Sequence, residues 1–178
     1  MERSQQLIHP TAFIHPAAHL MGDIEIGAHS SIWPSTVLRG DMGKISIGES
    51  TSIQDGTICH ATLGLSKMRV GNQVTVGHRV ILHGCIVEDN CLIGMGSILL
   101  DNCLVGAGSL IGAGALITAN TQIPPGSLVL GSPAKIIRPV NDREKAILAA
   151  SWPVYVETAQ KYKMDPSLRQ DFNPSRRH

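Results

Sequence analysis

Seven polar residues stand out in the chain for the chemistry they could do: Arg39, Asp41, Gln54, Asp55, His60, His78 and His83. Neutral imidazoles are the commonest ligands of transition metals. Three of them around one ion leave a fourth position open, the arrangement of a catalytic rather than a structural zinc site. Arg39 and Asp41 could bear on a nearby imidazole, and Gln54 and Asp55 offer further hydrogen bonds. Plainer readings stand beside each of these. A histidine at a turn is ordinarily solvated, and His9 and His15, each followed by proline, read that way. Arg39 and Asp41 could form a simple ion pair, Gln54 and Asp55 an Asx-like turn, and Cys59 a core position.

The elements that must position these residues come from a six-residue beat, sought first because a fixed period decides a fold. Ile8, Ile14, Leu20, Ile26, Ile32 and Leu38 fall every six residues, and the beat resumes at Ile47, Ile53 and Cys59, then at Val70, Val76 and Leu82. After a slip of one residue it runs from Val87 through Ile93, Leu99, Val105, Ile111, Ile117 and Ile123 to Val129. Only Cys59 among these is not aliphatic. The residue after the beat is Gly at 27, 48, 71, 77, 94, 106 and 112, which a tight corner would favour. The fourth residue on is mostly small, as at Ser30, Thr36, Thr51, Thr57, Ser97 and Ser109. A period of six smears apolar residues around a helix of 3.6 per turn, so short strands joined by turns are the expectation.

Three interruptions bracket the polar constellation: extra residues after Leu38, extra residues after Cys59, and a deletion after Leu82. The beat resembles that of the hexapeptide-repeat superfamily, which implies a prism of three walls; with Ile47 assigned to face A, Leu38, Cys59 and Leu82 all open strands on face C. Arg39, His60 and His83 then follow them in successive coils, about 4.8 Å apart. Asp55 and His78 stack in the same way on face B, beside Gln54. His60 and His83 can therefore share an ion within one chain, and His78 cannot join them there. Prisms packed side by side, face B against face C, would bring it in, and a closed ring of three satisfies every such contact. The expectation is a homotrimer with metal at its interfaces.

Residues 8 to 133 resemble the hexapeptide-repeat superfamily, which implies a left-handed parallel β-helix. An all-β solenoid of about seven coils follows, the left hand being an exception to the usual crossover rule. Arg39-Gly40-Asp41, Gln54-Asp55, His60 and the His78…His83 pair narrow the resemblance to the gamma-class carbonic anhydrases. That resemblance implies zinc, or iron or cobalt, held by His60, His78 and His83, with two histidines from one subunit and one from its neighbour. It implies that Gln54 positions the metal-bound hydroxide, that Arg39, Asp41 and Asp55 form a cross-subunit polar network that orders the site, and that the reaction turns CO2 and water into bicarbonate and a proton. Met42 and Ser52 depart from the family's pattern, and residues 61–69 carry no acid, so slow turnover is expected.

Composition narrows the alternatives. Fifteen basic and 14 acidic residues give a formal charge of +1, which offers no field for nucleic acid or an anionic membrane. Aromatics make up only 3%, too few for a base-stacking platform. No apolar run is long enough to span a bilayer. The first residues, MERSQQLIHP, lack a signal peptide's apolar stretch, which predicts the cytoplasm. The four cysteines lack CxxC spacing and read as reduced thiols. Residues 1–139 are assigned to the β-helix, 140–166 to a C-terminal helix and 167–178 to a polar tail, expected to be mobile, that ends in Arg176, Arg177 and His178. Ala146, Ile147, Ala150, Val154, Val156 and Tyr162 would pack the helix on the prism, with Pro153 marking a break or kink. Two rival functions remain. One is an acyl-CoA-dependent hexapeptide acyltransferase, to which the segment GSPAKIIRP (131–139) is similar. The other is a non-catalytic, metal-bound trimeric scaffold.

Overall fold

The beat residues line the interior of a left-handed parallel β-helix of about seven coils, in a computed structural model that describes residues 6–169. The charged end of the polar tail, Arg176 to His178, lies outside the described residues. From Ile26 to Val129 every beat position is buried. Ile8, Ile14 and Leu20 are more open because they form the first coil among the described residues. Face B is a stack of short parallel strands, from Phe13–Ile14 through Ser52–Ile53 and Thr75–Val76 to Ser127–Gly131. Faces A and C meet in two long strands, His19–Ile26 and Val37–Ile47, which pass from one wall to the next without a break. The interruption after Leu38 is therefore strand and not loop. Its partner takes up the mismatch by a register shift between Gly22 and Ile24. The interruption after Cys59 is a true loop, residues 61–67.

The small fourth residues are buried hydroxyls that stitch one coil to the next. Thr36 Oγ1 donates to the Gln54 carbonyl at 3.0 Å, Thr51 Oγ1 to that of Gly71 at 2.7 Å, and Thr57 Oγ1 to that of Gly77 at 3.0 Å. Among the described residues no buried side-chain polar atom lacks a partner.

The repeated glycines serve a different purpose from the one expected. The left-handed backbone lies two residues later, at Ser35, Ser50, Gln73, Arg79, Asn90, Asn102 and Asn120, or at a glycine such as Gly96. The glycine after the beat is needed because the next coil passes so close. A Cβ at Gly27 would stand 2.7 Å from the Gly48 carbonyl carbon, and one at Gly77 would stand 2.8 Å from the Met95 nitrogen.

The last coil ends in a hairpin. Ala134–Pro139 turns back antiparallel on Ser127–Gly131 and covers the edge of face B. Asn141 then opens helix α1, Asp142–Met164, with a full capping box: its side chain accepts from the Glu144 N–H at 3.0 Å, and Glu144 accepts from the Asn141 N–H at 2.8 Å. Arg138 clamps the same Glu144 with both guanidinium nitrogens at 2.7 Å.

The helix runs down face B on a stripe of Leu148, Ser151, Tyr155, Ala159 and Tyr162. Ser151 Oγ meets Thr75 Oγ1 at 3.1 Å, and Tyr155 and Tyr162 join Phe13 and Trp33 in an aromatic cluster. Rings too large for the prism thus gather under the helix. Ala146, Ile147, Ala150 and Val154, expected to pack, are exposed instead. Apolar residues occur on more than one side of this helix, so spacing alone did not select the buried stripe. Pro153 does not break the helix either, because Leu148 on one side and Tyr155 on the other anchor the turns that flank it. No helix among the described residues is long and apolar enough to cross a membrane.

Candidate metal centre

On face C the strands Ile58–His60 and Ile81–His83 pair in parallel with His60 directly opposite His83. Cys59 and Leu82 are buried just before them, so strand alternation sends both imidazoles outward. His60 Nδ1 lies 3.2 Å from His83 Nε2, with ring centroids 5.2 Å apart. Arg39, one coil below, brings Nη2 to 3.4 Å from His60 Nδ1. Its Nη1 donates to both oxygens of Asp41, at 2.8 and 3.1 Å. That guanidinium, assisted by His60, holds the Asp41 carboxyl below its ordinary range.

Each imidazole of the set has its own carboxylate. His60 Nε2 faces Asp41 Oδ1 at 3.2 Å, His83 Nδ1 faces Asp101 Oδ2 at 3.1 Å, and His78 Nδ1 faces Asp55 Oδ2 at 2.9 Å. An ionised carboxylate only accepts, so each of these ring nitrogens must carry the proton. With the protons so placed, His60 Nδ1 and His83 Nε2 are the ring nitrogens left to ligate, and they face one another across 3.2 Å. The Arg39 guanidinium already donates toward His60 Nδ1 from 3.4 Å, and His83 Nε2 faces the same nitrogen. The separation suits a metal: tetrahedral zinc with bonds of 2.0–2.1 Å sets its nitrogen ligands about 3.3 Å apart. The donor set therefore fits a metal ion, and carboxylates behind ligating histidines are the usual second layer of such sites.

The third histidine stays apart. His78 and Asp55 stand on face B, and in one chain no group of three His, Cys, Asp or Glu side chains among the described residues converges on one point. Gln54 is 3% exposed and lines, with His78, Met95, Leu110, Val154 and Tyr155, a largely apolar cleft of about 520 Å³ between face B and the helix. Cys59 is fully buried in the core, on the opposite side of its strand from His60, and burial pushes its thiol up to about 12.

Reading the sequence missed Asp101, along with Ser66 and Thr62, which both hydrogen-bond to it. Asp101 lies two residues past the beat at Leu99, on face C, in the coil directly after His83. Carrying the stacking one coil further would have found it. Residues 61–69 carry no acid, and what they contribute is the Thr62 and Ser66 hydroxyls.

Comparison with known proteins accords with this architecture. Residues 84–119 match the family "Bacterial transferase hexapeptide (six repeats)". The chain is 40% identical over 166 residues to gamma carbonic anhydrase 2, mitochondrial, of Arabidopsis thaliana, an alignment that covers 90% of this chain and 60% of the plant protein. It therefore spans about three fifths of that relative's length. Protein YrdA of Escherichia coli is 43% identical, with 84% of each chain covered. Among solved structures, a hexapeptide transferase family protein from Anaplasma phagocytophilum superposes with a TM-score of 0.83 at 39% identity, covering 88% of this chain and 92% of the other.

Proposed function

The chain belongs to the gamma carbonic anhydrase-like branch of the hexapeptide-repeat family, and on that premise we propose that it is a metal-dependent gamma-type carbonic anhydrase. It would convert CO2 and water to bicarbonate and a proton as a homotrimer, with metal between subunits. The observation that carries the reading is the convergence of His60 Nδ1 and His83 Nε2 at 3.2 Å, with a carboxylate behind each imidazole. His78, turned by Asp55 on the neighbouring face, would complete the ligand set from a second subunit. Apolar side chains exposed on the two walls support such packing: Ile58 is 43% and Ile81 36% exposed on face C, and Met95 is 58% exposed on face B.

Zinc, iron or cobalt would supply Lewis acidity, making water acidic enough to lose a proton near neutral pH. The chain's own residues then divide the remaining work. Arg39 fixes Asp41, Asp41 fixes His60, and Asp55 fixes His78. Gln54, in the cleft beside His78, would orient the attacking water through its amide. The apolar lining of that cleft suits an uncharged substrate such as CO2. Export of the product proton is the weak step, because Met42 follows Asp41 and loop 61–67 carries no carboxylate. Turnover is accordingly expected to be slow. A reducing, cytoplasmic setting belongs to the same reading, supported by four free and buried cysteines.

Likeness to a transferase-family structure favours one alternative, an acyltransferase using acyl-CoA. Metal analysis alongside stopped-flow CO2 hydration, with wild type and His83→Ala, separates the two. Bound metal and hydration, both lost in His83→Ala, are expected. Metal-free wild type with acyl-CoA-dependent transfer would replace this reading with the alternative. A metal-loaded trimer without hydration would leave a scaffold.

A further inference from the structure

Asp101 receives donors from three side chains, His83, Thr62 and Ser66. Oδ2 accepts from His83 Nδ1 at 3.1 Å and from Thr62 Oγ1 at 3.3 Å, and Oδ1 accepts from Ser66 Oγ. Ser66 Oγ in turn accepts from the Thr62 N–H at 3.0 Å, and the Leu65 and Ser66 N–H groups both bond to the Thr62 carbonyl at 3.1 Å. One carboxylate thus holds the imidazole of a proposed ligand on one side and a closed turn of loop 61–67 on the other. A neutral imidazole left to itself can carry its proton on either nitrogen, and with the proton on Nε2 it offers no lone pair toward His60.

We propose that Asp101 is a positioning residue that fixes the Nδ1–H form of His83 and ties loop 61–67 to the metal centre through Thr62 and Ser66. The proposal rests on the reading of His83 as a metal ligand. Its consequence is that the loop contributes to the site by holding a ligand in place, since it has no acid with which to move protons. Leu63 and Leu65, both well exposed, ride on the turn that Asp101 secures.

Two substitutions separate positioning from general stability. Asp101→Ala removes the acceptor. In Asp101→Asn the amide oxygen can still accept from His83 and Thr62, while the amide nitrogen donates to Ser66 Oγ. Two readouts apply: histidine 15N spectra of metal-free protein, with the His83 signals assigned through His83→Gln, and zinc affinity by chelator competition. Asp101→Ala should mix the His83 tautomers and weaken zinc binding roughly tenfold to a hundredfold. Asp101→Asn should keep the Nδ1–H form and bind zinc within about threefold of wild type, a neutral acceptor being only about half as strong. Amide exchange at Leu65 and Ser66 should accelerate in Asp101→Ala. The proposal is overturned if Asp101→Ala leaves the tautomer and zinc affinity unchanged, or if Asp101→Asn behaves no better than Asp101→Ala. Unaltered exchange at Leu65 and Ser66 would overturn the link to the loop. If wild type binds no zinc at all, the metal reading fails, and the His83 spectra still decide the role of Asp101.

Discussion

Thr57 illustrates how single side chains hold this prism. Its Oγ1 donates to the Gly77 carbonyl at 3.0 Å and accepts from the Val80 N–H at 3.2 Å, in a fully buried position. Thr57→Val keeps the shape and strands both backbone groups, so unfolding stability should fall by about 1–3 kcal/mol, measured as an earlier denaturation midpoint. The small size of such residues was legible in the six-residue pattern, since only small side chains fit at a crowded corner. Their hydrogen bonds were not, because the partner carbonyl is supplied by another coil. The same blind spot hid Asp101. The polar constellation visible in the spacing ends at His83, and the carboxylate that faces its imidazole comes from the coil above. Arg39, Asp41 and His60 were legible as neighbours because their beat positions, Leu38 and Cys59, open adjacent strands of one wall.

At the level of elements, the strands were far more legible than the helix. A strand's inward face follows from the beat alone, and from Ile26 onward the beat does not fail. The helix has no such constraint: its buried stripe is chosen by Phe13 and Trp33 on the sheet below, which no spacing within residues 142–164 encodes. Its start was legible, because Asn141 and Glu144 form a capping box. That start also predicts a pH dependence. Arg138, with the Asn141 N–H, holds the Glu144 carboxyl down to about 2 from an ordinary 4.5. A depressed folded-state pKa stabilises above the unfolded value and loses that contribution as pH falls through the folded one. Wild type should therefore melt above Glu144→Gln at pH 7, with the gap closing between about pH 4.5 and 2 in thermal scans. A gap that persisted at pH 2 would show that Glu144 acts through packing and not through its charge.

At the scale of the whole molecule, one prism holds two halves of the proposed site that do not meet. His60 and His83 look out from face C, and His78 looks out from face B. In a ring of three, each interface would join His60 and His83 of one chain to His78 of the next. The most direct test mixes His60→Ala and His78→Ala chains by co-expression with different tags, then measures zinc per trimer in the doubly purified and in the unsorted protein. Homotrimers of either variant should hold no intact site. Every mixed trimer should hold one, where a chain keeping His60 faces a chain keeping His78, so random mixing restores about a quarter of the wild-type metal. Zinc that stayed absent from verified mixed trimers would contradict ligands drawn from two subunits.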